Sequence, residues 1–162
     1  MMGLSTKSIL AYRALNRKID EHWVEWAASM LEQGFDSYHL RIFAGESPPF
    51  NQFELTELAN KTFEELGLDW SDTERVISRY AAELLEEMLT GAREAESVLN
   101  ILKDICIELD YARYLFDFYL LHFAQQDLQS SEMQWHWPGA NRANIASIIT
   151  DYAHRWIERF KD

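Results

Sequence analysis

Six glycines and three prolines are all that this chain of 162 residues has for making sharp turns. A β-sandwich or barrel spends such residues at a turn every ~8–12 positions, whereas a set of long helices needs them only at its few corners. Between those corners the apolar residues recur with a helical period of 3.6, so the chain is expected to be all-α.

The individual segments follow from caps and breakers. Ser5 caps a first helix whose rhythm runs through Ile9, Leu10, Tyr12, Leu15, Ile19, Trp23, Trp26, Met30 and Leu31 and stops at Gly34. Asp36 opens a short helix that Gly45 closes, and Pro48 and Pro49, which lack an amide hydrogen, prevent its continuation. Asn51 with Glu54, and Ser71 with Glu74, have capping-box spacing, and their helices end at Gly67 and Gly91. From Ala95 to Leu109 apolar residues occupy most of the helix circumference, which predicts the central, most buried helix. Asp110 marks a break before an aromatic helix over 111–128, in which Tyr111, Tyr114, Leu115, Phe118, Tyr119 and Phe123 read as core. Residues 129–141 have no period and contain Pro138-Gly139, hence a loop, and a last helix runs from Arg142 to Phe160. The expectation is six long helices and one short one, packed as antiparallel hairpins in a single compact helical bundle over residues 1–162. The similar lengths of hairpins 50–91 and 93–128 leave a HEAT-like stacking open as the alternative.

With 48% hydrophobic residues, a chain of this length has the material to bury ~70% of its unfolded surface. The one cysteine, Cys106, excludes an internal disulfide and reads as a buried, inert thiol inside Ile105-Cys106-Ile107. No leader-like apolar run and no stretch of ~18 uninterrupted apolar residues is present, so the expected location is the cytoplasm.

Charge is unevenly placed within the net −12. Residues 1–18 carry four basic and no acidic side chains, while residues 46–110 carry five basic and sixteen acidic ones. Such a chain repels nucleic-acid phosphates and anionic lipid, so neither nucleic acid nor membrane is expected as a partner. Its electrostatic complement is a protein with a basic surface, and ordinary solubility accounts for the same charge count. Glu83, Glu86 and Glu87 form the densest carboxylate run on a helix, with Glu64, Glu65, Asp69, Asp72 and Glu74 nearby in sequence.

Two constellations could carry binding or chemistry. Trp135 and Trp137 flank His136 in the loop, either as anchors for a partner or as a cap folded over the core. The histidines offer weaker material. Asp151-x-x-His154 is the one acid-x-x-His pair, His22 and Glu25 have that spacing reversed, and His122 is five residues from both Asp117 and Asp127. No His-Glu-x-x-His, phosphate-binding glycine loop or nucleophile elbow occurs, and no metal, cofactor or catalytic residue is assigned.

Residues 26–67, with Gly-Phe-Asp-Ser followed by Leu40 and Ala44-Gly45, and residues 84–111 resemble small uncharacterised bacterial all-helical proteins. At the turn Thr90-Gly91-Ala92-Arg93 the chain departs from that group, which has a proline there. The resemblance implies a helical fold and, for some members, an immunity-type role beside a toxin. The functional expectation is therefore a non-catalytic, acidic protein-interaction module, an immunity-type inhibitor of a basic partner. The binding residues assigned are Glu83, Glu86, Glu87, Trp135 and Trp137. The alternative is a helical enzyme or metal-binding domain built on His22, His122, His136 and His154 with nearby carboxylates.

Overall fold

A computed structural model describes residues 3–160. Among these residues there are eight helices and no strands: α1 (Thr6–Ala14), α2 (Glu21–Glu32), α3 (Tyr38–Ala44), α4 (Gln52–Glu65), α5 (Thr73–Leu89), α6 (Ala95–Glu108), α7 (Arg113–Ser130) and α8 (Ile145–Arg159). The all-α class holds, with one helix more than the sequence suggested. The difference lies in the first segment, which is two helices. Asn16 takes a left-handed conformation (φ 57°) that ends α1, and the Asp20 carboxylate accepts the His22 N–H to start α2. The apolar rhythm continues across this break, with Leu15 half-buried and Ile19 in the core.

Several caps are as expected. Ser5 and Asn51 accept from the N–H groups of Ser8 and Glu54. Gly34, Gly67 and Gly91 close their helices at positive φ. Two starts shift by one residue. Ser37, not Asp36, caps α3, leaving Asp36 to pair with Arg41 at 3.2 Å. Asp72, not Ser71, caps α5, its carboxylate accepting the Arg75 N–H at 3.2 Å, while Asp69 accepts the Ser71 N–H.

The chain divides into two compact units, with the boundary between Tyr80 and Ala81 inside α5. In the first unit, α2 packs on α1 and α3, and α3 on α4. The core sets Trp26 edge-on to Phe63, and Phe63 in turn against Trp70. The Gln52 side chain clamps the Ile19 backbone with two 2.8 Å hydrogen bonds, one to its N–H and one to its C=O. Arg13 donates to Asn60 at 2.7 Å and lies over the Trp70 ring, a use of its charge that is internal to the fold.

Helix α3 is tied to α4 through Glu65. Its carboxylate accepts the His39 backbone N–H at 2.9 Å and makes a short contact with His39 Nδ1. These two bonds, the side-chain one first, hold the Glu65 carboxyl down at about 2. A carboxyl depressed in the folded state stabilises it above the unfolded value near 4.5, and that stabilisation disappears as pH falls toward about 2. The expected result is that thermal scans of the native chain and Glu65→Gln differ at pH 5 and converge at pH 2. Parallel curves across that range would show that the contact contributes nothing.

In the second unit α6 and α7 form a hairpin and α8 packs on α7. The turn is made by Asp110 and Tyr111, both left-handed, at φ 56° and 60°. Val98, Leu99, Leu102, Ile105 and Cys106 are buried on α6. The helix is not buried all round, since Ile107 stands 42% exposed. Cys106 is fully buried, burial pushes its thiol pKa up, and its Sγ–H points at the Ala112 carbonyl 3.7 Å away. On α7 the aromatic stripe divides. Leu115 and Phe118 are core, whereas Tyr111 is half exposed and Tyr119 lies between Tyr111, Phe116 and Phe123. Tyr152 of α8 donates to Asp117 at 2.7 Å, and burial together with that carboxylate pushes its phenol up to about 12.

No helix among the described residues is long and apolar enough to cross a membrane.

Candidate functional site

The carboxylates singled out on α5 have separate surroundings. Glu86 is exposed, and Glu83 is half-buried and already engaged. Glu87 makes a short contact with Arg93, and its backbone carbonyl accepts the N–H groups of Ala92 and Arg93 at 2.8 and 3.2 Å. Glu87 therefore finishes α5, and Arg93 offsets its i, i+4 repulsion with Glu83. The other acidic residues also have local work, Glu65 on His39, Asp69 on Ser71 and Asp72 as a cap.

The loop between α7 and α8 is ordered around one side chain. Gln134 Nε2 donates to the carbonyls of Trp137 (2.6 Å) and Ala140 (3.1 Å), while its Oε1 accepts the N–H groups of His136 (2.9 Å) and Trp137 (2.8 Å). A loop without ladder bonds must satisfy its backbone polar groups elsewhere, and here a glutamine amide supplies both signs. Asn144 secures the far end, accepting from Asn141 N–H at 2.7 Å and donating to the Gly139 carbonyl at 3.0 Å. Arg142 Nε reaches back to the Leu128 carbonyl on α7 at 2.8 Å.

This frame separates the two tryptophans. Trp137 is half-buried and meets Tyr152 edge-on, with centroids 5.6 Å apart, which is the core-capping role. Trp135 is 83% exposed, and Met133 beside it is 58% exposed. Trp137 thus takes the capping reading, and Trp135 stands in solvent.

The histidines do not converge. His22 lies 3.4 Å from Asp20 rather than on Glu25. His154 and Asp151 are exposed on α8. Asp127 lies 3.2 Å from His136 Nδ1, at ion-pair distance but without hydrogen-bond alignment, and Asp117 is taken by Tyr152. Among the described residues no three His, Cys, Asp or Glu side chains come together as a metal-binding group.

One feature has no counterpart in the sequence motifs. A polar cleft of about 640 Å³ lies along the α6–α7 hairpin, with Glu96, Asn100 and Lys103 on one wall and His122, Phe123 and Gln126 on the other. The α6 residues recur at i, i+4 and i+7 and so share a face. His122 is 7% exposed, and its Nδ1 is buried without a hydrogen-bond partner. Burial first, and then the Lys103 charge, push its imidazole below 6.5, against the opposing pull of Asp104 and Glu96. No protein-family model, no curated protein and no solved structure matches the chain.

Proposed function

We propose that the protein is a non-catalytic interaction module that docks a protein partner through Trp135. One observation carries this reading: a tryptophan 83% exposed on a loop that the Gln134 amide holds with four hydrogen bonds. A large aromatic displayed on a rigid frame loses little conformational freedom on binding, which is why Trp dominates interface hot spots. The net charge of −12 favours a partner with a basic surface, attracted before contact is made. The finer form of the proposal is an immunity-type inhibitor that covers a basic active site. Of the five residues assigned from sequence, Trp135 is the anchor and Glu86 the steering charge, Trp137 and Glu87 support the fold, and Glu83 is half-buried and already engaged.

The test is capture from native lysate on the immobilised full chain, followed by kinetics with the recovered protein. Trp135→Ala is expected to raise the off-rate ~30-fold or more, in keeping with a hot-spot loss of ~2 kcal/mol or more. Glu86→Lys is expected to slow association, with an effect that shrinks as salt rises. A partner held equally well by Trp135→Ala, or with salt-independent association, would end the proposal.

A further inference from the structure

We infer that the row of rings along α7 is a docking surface for an arginine-bearing segment of a protein partner. The inference names the partner's side-chain chemistry, and for the existence of that partner it rests on the docking reading above. Tyr111 is 50% exposed and Phe116 36%. Tyr119 packs on both, stacked on Phe116 with centroids 5.4 Å apart and edge-on to Tyr111 at 5.7 Å. Phe123 follows 4.9 Å from Tyr119, and the His136 ring lies 5.6 Å beyond Phe123, next in sequence to the displayed Trp135. Phe116, Tyr119 and Phe123 recur at i, i+3 and i+7, so they share one face of α7. The row therefore runs from the α6–α7 turn to the Trp135 loop. Exposed aromatic rings in mutual contact form a patch, and patches, unlike scattered apolar residues, mark interaction surfaces.

Charge decides what covers the row. Residues 104–132 carry six acidic side chains and one basic one. A carboxylate stands at each end: Asp110, exposed, directly before Tyr111, and Asp127, 3.2 Å from His136 Nδ1. A second copy of so acidic a surface is repelled by it, as are nucleic acid and anionic lipid. A guanidinium suits both features at once, because its plane stacks on a ring while its edge donates to a carboxylate. The lysine ammonium, a strongly hydrated point charge, gains less from a ring face. The chain uses the same pairing within its own fold, where Arg13 lies over Trp70 and Arg17 over Tyr12.

The experiment titrates the full chain with blocked pentaarginine, pentalysine and pentaglutamate, following aromatic ring resonances by NMR and affinity by calorimetry. Pentaarginine is expected to shift the rings of Tyr111, Phe116 and Tyr119 and to bind about fivefold or more tighter than pentalysine of equal charge. Pentaglutamate is expected to shift none of them. Phe116→Leu with Tyr119→Leu is expected to bring the arginine-to-lysine ratio close to one, a change that charge-driven association alone does not produce. If the double variant fails to fold, Phe116→Leu alone, at a partly exposed position, is expected to lower the same ratio. Asp110→Asn, which suits the left-handed turn, combined with Asp127→Asn is expected to weaken pentaarginine about fivefold. Glu57→Gln with Glu64→Gln removes the same charge from exposed positions on α4 and is expected to leave the ring shifts in place. Equal affinity for the two cationic peptides, rings that do not move, or self-association of the free chain through these rings would overturn the inference. The peptides are read on the isolated chain, so this result stands or falls separately from capture of a partner through Trp135.

Discussion

Replacing Trp156 with alanine is expected to destabilise the second unit by about 3–5 kcal/mol, the range for removing a buried aromatic. That is a large part of the ~5–15 kcal/mol that holds an ordinary domain folded. Trp156 is 1% exposed, packs edge-on to Phe118 at 5.4 Å and stacks on Phe160 at 4.3 Å. Its indole N–H donates to the Tyr114 carbonyl at 3.1 Å, so truncation also strips a part-buried acceptor on α7. Loss of both the packing and the bond between α8 and α7 makes this the most damaging single truncation on α8. Urea unfolding should show a lower midpoint at unchanged slope. A loss under ~1 kcal/mol would mean that the site collapses around the gap, contrary to the close fit of three aromatic rings.

The second expected result concerns Gln134→Ala. Four hydrogen bonds leave together, and at ~0.5–1.5 kcal/mol each the loop loses roughly 2–6 kcal/mol of local stability. Hydrogen exchange should report it directly, with protection lost at the His136 and Trp137 amides while amides inside α6 are unchanged. Trp135→Ala, by contrast, removes an exposed side chain and is expected to change stability by less than ~0.5 kcal/mol. If the His136 and Trp137 amides stay protected in Gln134→Ala, the loop is held by something other than that side chain.

The helix ends were legible because caps are local chemistry. Ser5, Asn51, Gly34, Gly67 and Gly91 act within four residues of themselves, and the sequence displays those residues in order. The α1–α2 break was not legible, since Leu15 and Ile19 keep the apolar period while the backbone turns at Asn16. At 69–72 three cap-competent side chains stand close together, and only in the structure does the Arg75 N–H, bonded to Asp72, mark where α5 begins.

The sites divide the same way. Composition alone pointed to the Trp135–Trp137 loop, but both residues share one residue type, and only the Gln134 frame sorts the core tryptophan from the displayed one. The His122 cleft is not legible along α7 alone. Its wall comes from α6, so the signal was the Glu96, Asn100, Lys103 spacing read together with the turn at Asp110, which sets the register between the two helices. For the acidic middle of the chain, counting charges overstated the surface. Glu65, Asp69, Asp72 and Glu87 each hold a backbone N–H, a cap or an arginine within the fold.

Because the Gln134 amide holds four backbone groups between His136 and Ala140, and Asn144 the Gly139 carbonyl, the loop's shape is uncoupled from the side chains it displays. Met133 and Trp135 face solvent and can be exchanged by mutation without disturbing that frame. Under the proposed docking role, natural variation at these two positions retunes what the loop recognises while its folding stays constant. In this respect the segment resembles the hypervariable loops of an antibody, where a conserved scaffold leaves sequence free to diversify. Related chains are expected to keep glutamine at 134 and to diverge most at 133 and 135.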